Sequence, residues 1–221
     1  MIHRVLLCAL LAGLVAGVAV TAVQAVAVLP LIERAEVIEQ GAPPSSPSAP
    51  DHGHDEAAGH DGPDFAETML ANGLTGVGFG FLLVAVMAMA GRPVDFRRGL
   101  LWGAGGFLAV ALLPAIGLPP KPPGAPIPLL AEAQNWWLAC VLFSTAGLLL
   151  FAFSKQWIWR ALALALLVAP HVWGAPESFG DMDPALAPIM LDFRMASLAA
   201  SAVFWSALGG TAGLVYRKII G

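Results

Sequence analysis

The segment VLLCALLAGLVAGVAVTAVQAVAVL, residues 5–29, decides the fold of this 221-residue chain. It is a run of 25 residues without a charged side chain, and about 20 mostly apolar residues are enough for a helix to cross the hydrocarbon core of a bilayer. Inside lipid every backbone N–H and C=O group must find a partner within the protein, which an α-helix provides. The segment therefore predicts a transmembrane helix close to the amino terminus.

The same segment has a second interpretation as a secretory signal. Arg4 precedes it, and Val23-Gln24-Ala25 near its end resembles a small-residue cleavage site. A signal core, however, usually spans about 7–15 apolar residues, and this run is much longer. We therefore favour a retained membrane anchor, with cleavage of the first helix as the alternative.

Further apolar runs follow along the chain, at residues 68–90, 99–117, 135–153, 157–173 and 195–216. The chain is 58% hydrophobic and 12% charged, whereas soluble domains are about half apolar and about a quarter charged. The pattern predicts an all-α integral membrane protein, a single membrane domain with a six-helix transmembrane bundle. Because the run at 157–173 is short and carries Arg160 in its first turn, five spans is the alternative.

The charged residues favour six spans with both termini in the cytosol. In that arrangement eight Lys and Arg side chains lie inside and three lie outside, as the positive-inside rule expects. Fourteen of the fifteen acidic side chains lie outside, and Asp95 is the exception. Omitting one span would mix the two groups. The sequence thus predicts a multi-pass protein of the inner (cytoplasmic) membrane.

Glycines recur at four-residue spacing in four of the predicted helices. The pairs are Gly13 and Gly17, Gly76 and Gly80, Gly99 and Gly103, and Gly209 and Gly213. Small residues at this spacing let helix backbones approach closely in a membrane. They predict a compact bundle.

Residues 30–67 form the longest polar stretch and are predicted to be a mobile extracytoplasmic loop, because a segment with so few large apolar side chains cannot offset its ordering entropy. The second half of this loop reads DHGHDE at 51–56 and GHD at 59–61. Imidazole nitrogens and carboxylate oxygens are ligands that divalent transition metals accept. The predicted metal ligands in the loop are Asp51, His52, His54, Asp55, His60 and Asp61. The alternative is a solvated acidic linker whose histidines are incidental.

His171 is a second candidate metal ligand. It lies in PHVWGAP at 170–176, at the predicted outer end of the fifth helix, and an ionisable group in a membrane segment is a functional candidate. The alternative is an interfacial histidine that bonds a backbone carbonyl freed by Pro170. The loop that follows is acidic, so the whole predicted outer surface would concentrate cations.

The sequence lacks the residues that are characteristic of several classes of function. No basic stripe with aromatics is present, so nucleic acid is not an expected partner. The sequence has no Walker phosphate loop, no His-Glu-x-x-His pair and no serine elbow, so we expect neither an enzyme nor a permanently bound cofactor. No carboxylate lies within the predicted spans, which argues against an autonomous proton-coupled antiporter.

Four motifs are distributed over nearly the whole chain: PHVWGAP at 170–176, NGLTGVGF at 72–79, RGLLWG at 98–103 and PLIERAE at 30–36. As a set they resemble the CbtA type of predicted cobalt transporter subunit. The resemblance implies cobalt uptake beside a small single-span, histidine-containing CbtB-type subunit. It also implies functional roles for Glu36, the loop histidines and His171, and it implies five spans where the charges favour six.

The sequence therefore predicts a membrane subunit of a divalent transition-metal uptake system. The outer loop would collect Co²⁺ and pass it to a site near His171, and the helix bundle would conduct it inward. Ligands of these types accept Ni²⁺ or Zn²⁺ at least as readily, by the usual affinity order. The alternative function is a non-transporting membrane scaffold that stabilises a separate metal permease. Expected partners are the lipid bilayer and the single-span subunit, and self-association stays open.

Overall fold

The structure is a computed structural model that describes residues 2–41, 65–91 and 93–219. Within these residues the chain forms six helices, which confirms the predicted all-α bundle. Helix α1 begins as Ile2–Val23, passes through a π-helical turn at Gln24–Val28 and continues as Leu29–Gly41. Helix α2 is Phe65–Met89.

Helix α3 has the same three-part construction as α1. It begins as Phe96–Phe107, passes through a π-helical turn at Leu108–Leu112 and ends as Leu113–Gly117. The remaining helices are α4 at Leu130–Phe153, α5 at Trp157–Trp173, and α6 at Ala187–Ile219, which is preceded by a 3₁₀ turn at Pro184–Leu186. We call the end of the bundle that carries residues 118–129 and 174–186 the outer end, following the predicted orientation.

Among the described helices, five are long and apolar enough to cross a membrane. Helix α5 is the shorter one, with 17 residues. At about 1.5 Å per residue it measures about 26 Å, against a hydrocarbon core of about 30 Å. The bundle thus has six helices, the number that the charges favour, and five of them are long enough to span, the number of spans that the family resemblance implies.

The polar stretch predicted as a loop at 30–67 is partly helical, which corrects the predicted boundaries. Helix α1 continues through Gly41 and α2 already begins at Phe65. The α1 extension packs against the connections at the outer end, where Ala35 is buried against Ala125 and Leu186, with Ile38 beside them. Residues 42–64, with the predicted loop ligands, lie outside the described residues.

Helices α1 and α6 form the centre of the bundle. Helix α2 packs along α1, and α3 packs along α6. Helix α4 contacts the outer half of α3, and α5 packs on α4. Aromatic rings fill the middle, where Trp205 of α6 lies edge-on to Phe79 of α2 with ring centroids 5.2 Å apart.

The glycine pairs lie where helix backbones touch, which confirms the predicted compact packing. A Cβ atom at Gly13 would lie 2.5 Å from the backbone of Gly76 and Val77. In the second pair of helices, a Cβ at Gly99 would lie 2.8 Å from the Cα of Gly213. Any side chain at these positions would push the helices apart, so glycine sets the separation of α1 from α2 and of α3 from α6.

Both π-helical turns precede a Leu-Pro pair in similar sequence. Residues 25–32 read AVAVLPLI and residues 109–116 read AVALLPAI. Proline cannot donate a backbone hydrogen bond, and its ring crowds the preceding turn of an α-helix. A π-helical turn widens the helix just before the proline, and such turns often accompany functional sites. The two turns therefore mark matching places in the outer halves of α1 and α3.

At the inner end, Asp95 caps α3. Its carboxylate accepts a hydrogen bond from the N–H of Arg98 at 2.9 Å. That hydrogen bond lowers the pKa of the Asp95 carboxyl below its usual value, and the positive charges of Arg98 and Arg217 act in the same direction. The one acidic residue predicted on the inner side thus has a structural role as a helix cap.

Candidate functional site

Six of the eight predicted metal ligands lie outside the described residues. They are Asp51, His52, His54, Asp55, His60 and Asp61. Of the eight predicted ligands, His171 in α5 and Glu36 in the α1 extension are described. Within residues 2–41, 65–91 and 93–219, no three His, Cys, Asp or Glu side chains lie close enough together to hold a metal ion.

His171 lies in the last turn of α5, half-buried against α4. Its ring is edge-on to Trp136 of α4, with centroids 5.9 Å apart. The Nε2 atom of His171 is buried and has no hydrogen-bond partner among the described residues. Gly174 then ends the helix with a φ of 92°, a backbone conformation that favours glycine. An unpaired imidazole nitrogen is available as a ligand or as a hydrogen-bonding group.

Trp136 is the aromatic neighbour of this histidine on α4. The indole is 8% exposed, and its ring lies over Gly117 at the end of α3, where a Cβ would come within 2.7 Å of the ring. Its Nε1 atom is also buried without a partner in the described part of the chain. An indole N–H only donates hydrogen bonds. It can bind water or an oxygen acceptor here, but it cannot ligate a cation.

A cavity of about 420 Å³ opens beside this pair, between the outer ends of α4 and α5. Its polar lining consists of the Glu132 carboxylate and the Asn135 amide, and its walls include Trp136, Pro170 and Trp173. The carboxylate supplies a negative charge at the mouth. His171 itself contacts Trp136 and follows Pro170, both of which line the cavity, but it is not one of the lining residues.

Glu36 lies on the α1 extension, half-buried, next to the buried Ala35. One turn further on, Glu39 packs over Gly124 of the α3–α4 connection, 3.5 Å from where a Cβ would stand. These carboxylates belong to the outer cover, by which we mean the α1 extension at Leu29–Gly41 together with the connections at residues 118–129 and 174–186. Among the described residues, neither Glu36 nor His171 belongs to a group of three or more side chains that could hold a metal ion.

Lys121, one of the three cations predicted on the outer side, bonds to both connections at this end of the bundle. Lys121 donates hydrogen bonds to the Pro126 carbonyl and, at 2.6 Å, to the Ser178 hydroxyl. Burial lowers the pKa of Lys121, and the nearby positive charge of Arg194 lowers it further. The Ile127–Phe179 backbone bridge joins the same two connections. Lys121 thus joins the α3–α4 and α5–α6 connections.

A second polar group, which sequence reasoning did not identify as a site, lies between α1 and α2. Asn72 donates hydrogen bonds to the Thr21 hydroxyl at 3.0 Å and to Gln24 Oε1 at 2.6 Å. We call Thr21, Gln24 and Asn72 the amide cluster. It lies at the first residue of the π-helical turn in α1, next to a cavity of about 520 Å³.

The sequence contains a sign of this cluster, but that sign is weak when each residue is considered by itself. Gln24 is a polar residue in a long apolar segment, six residues before Pro30. Its partner is 48 residues away in the chain, so no local pattern links them. The similarity between residues 25–32 and 109–116 would have marked this part of α1 as unusual.

Comparison with known protein families gives a match over nearly the whole chain. The family model described as "Probable cobalt transporter subunit (CbtA)" matches residues 2–217. No curated protein and no solved structure matches the chain.

Proposed function

Because the chain belongs to the CbtA family of probable cobalt transporter subunits, we propose that it conducts divalent cobalt into the cell as the membrane subunit of an uptake system. The family match over residues 2–217 is the observation that carries this proposal. The bundle supports it, since the described residues include five helices able to cross a membrane. Family membership also argues against an enzymatic role.

Capture is assigned to the outer side. In this proposal Asp51, His52, His54, Asp55, His60 and Asp61 collect Co²⁺, and Glu36 and His171 receive it at the bundle. The unpaired Nε2 of His171 and the carboxylate of Glu132 in the adjoining cavity support this assignment. The same ligand types bind Ni²⁺ and Zn²⁺, so cobalt selectivity would arise in the bundle or from metal supply.

A subunit requires a partner, and the proposed partner is a single-span, histidine-containing protein of the CbtB type. Helix α5 offers a surface of suitable character. In the described residues it packs mainly on α4, and large apolar side chains such as Ile158, Leu164 and Val172 are exposed. In a bilayer this surface faces lipid or another helix.

The proposed orientation, with cytosolic termini in the inner membrane, predicts opposite reactivity at two connections. We expect a cysteine replacing Ser178, in the α5–α6 connection, to react with a membrane-impermeant thiol reagent in intact cells. A cysteine replacing Lys155, between α4 and α5, should react only after the cells are opened. The native Cys8 and Cys140 are buried and give a low background. Labelling of position 155 from outside would reverse the orientation.

The transport proposal is tested with the purified chain in lipid vesicles that enclose a fluorescent metal reporter. We expect Co²⁺ added outside to reach the reporter faster than in protein-free vesicles, when the chain is present alone or with its single-span partner. A chain that gives no flux in either preparation contradicts the proposal. If cells then still require its helices but not its loop histidines for uptake, the scaffold function replaces it.

A further inference from the structure

We propose that the cavity between the outer halves of α1 and α2 is an outward-facing site for the hydrated metal ion, with the amide cluster as its floor. This inference rests on the proposed transport function and adds a location that is separate from His171. The cavity has a volume of about 520 Å³. Its polar lining is Thr21, Gln24, Glu67, Thr68 and Asn72.

The hydrogen bonds fix which atoms of the amide cluster are already paired. The Thr21 hydroxyl donates its only proton to the Gly17 carbonyl at 2.8 Å, so its oxygen must accept from Asn72. The Asn72 amide therefore presents Nδ2 to Thr21, and the second proton of Nδ2 goes to Gln24 Oε1. Both N–H bonds are used. The carbonyl oxygen Oδ1 of Asn72 is left as an acceptor without a partner among the described residues.

Charge and position favour a cation as the occupant. Glu67 lines the same cavity in the first turn of α2, five residues before Asn72. That spacing corresponds to about 7.5 Å along a helix. A cation drawn in by the exposed Glu67 carboxylate would meet Oδ1 of Asn72 one step deeper. An anion would meet the same carboxylate and be repelled.

The size and chemistry of the site fit an ion that keeps its water shell. Six waters at about 30 Å³ each occupy about 180 Å³, which the cavity accommodates. Neutral amide and hydroxyl oxygens are weak ligands for Co²⁺, which prefers imidazole and thiolate. They hold the hydration shell by hydrogen bonds instead. Weak binding of this kind suits a conduction site, because the ion must also leave.

The cavity is closed on its inner side by the glycine contact between α1 and α2. A Cβ at Gly17 would lie 2.8 Å from the Cα of Gly73 and 2.9 Å from the carbonyl oxygen of Asn72. The two backbones touch there, so no space for an ion remains between α1 and α2 at Gly17 and Gly73. The structure therefore corresponds to an outward-open site, and inward passage requires α1 and α2 to move apart or to slide.

Binding is tested by NMR, because the chain contains only two asparagines, Asn72 and Asn135. The second lines the cavity beside His171. Selective ¹⁵N-asparagine labelling gives two side-chain amide signals, and paramagnetic Co²⁺ broadens signals near it, whereas diamagnetic Zn²⁺ does not. The full-length chain with His52, His54 and His60 replaced by alanine removes metal held by the loop. We expect broadening of Asn72, and broadening of Asn135 alone or of neither signal overturns the inference.

Transport is tested in the vesicle assay with three variants. We expect Asn72→Leu to lower the initial Co²⁺ rate per folded protein at least tenfold, because leucine puts an apolar side chain at the floor. Asn72→Asp should retain flux and lower KM, since the added charge strengthens binding. Thr75→Leu makes a comparable change one turn away at an exposed position of α2 and should transport normally. If folded Asn72→Leu transports like the wild type, the cluster serves only to join the helices, while wild-type flux still supports the proposed function.

Discussion

Replacing Gly76 with leucine is expected to destabilise the bundle by about 3 kcal/mol or more. Gly76 is buried in the contact between α1 and α2, and an added Cβ would touch the carbonyl group of Gly13. Backbone atoms cannot turn away as a flexible side chain can, so the two helices would have to separate along their length. Unfolding of the purified protein in mixed micelles with increasing SDS measures the loss.

Gly78 provides a matched control on the same helix. It is two residues away, exposed, and a Cβ there would meet nothing within 4 Å. Gly78→Leu should therefore change stability by no more than about 0.5 kcal/mol, and its higher helix propensity would act in the stabilising direction. Equal losses for the two variants would mean that leucine perturbs α2 itself, and that the α1–α2 contact does not depend on glycine.

The same contact shows which part of the packing could be predicted from the sequence. The four-residue glycine spacing predicted that backbones would touch. It could not predict that Gly13 would meet Gly76 and that Gly99 would meet Gly213, because every pair has the same spacing. Partner choice depends on the neighbouring side chains, such as the Phe79, Phe204 and Trp205 rings, which fit together only in the assembled bundle.

Helix α1 continues beyond the end of the predicted span, and the difference has a physical reason. Hydropathy reports where lipid stabilises a helix, and Glu33 and Arg34 end the apolar run. Helix α1 continues because Ala35 and Ile38 pack on the connections of the outer cover. A helix stabilised by protein contacts beyond the membrane gives no signal in a scan for transmembrane segments.

The candidate site was predictable only in part. PHVWGAP placed His171 at the outer end of its helix, and the structure has it in the last turn of α5. Its neighbour Trp136 comes from another helix, so the sequence did not indicate their contact. The amide cluster was missed for the same reason, since Gln24 and Asn72 lie on different helices. Long-range pairs of polar residues in a membrane become visible only after the helices are assembled.

The largest effect on function is expected when His52, His54, His60 and His171 are all replaced by alanine. A tethered ligand raises the local metal concentration to the order of millimolar. Without these imidazoles, Co²⁺ uptake by cells at low micromolar metal should fall at least tenfold, whereas uptake at saturating metal should fall less. Uptake of radioactive cobalt, normalised to the amount of protein in the membrane, measures both.

The fifth histidine is the control for this change. His3 is exposed in the first turn of α1, at the inner end of the bundle, so His3→Ala should leave uptake unchanged. Imidazole binds metal only in its neutral form, and free imidazole side chains take up a proton near pH 6.5. The wild-type advantage at low metal should therefore diminish as the external pH falls from about 7.5 to about 5.5. If the fourfold variant takes up Co²⁺ as fast as the wild type at every metal concentration, the histidines have no role in the mechanism. The carboxylates and the amide cluster would then be the cation-binding groups.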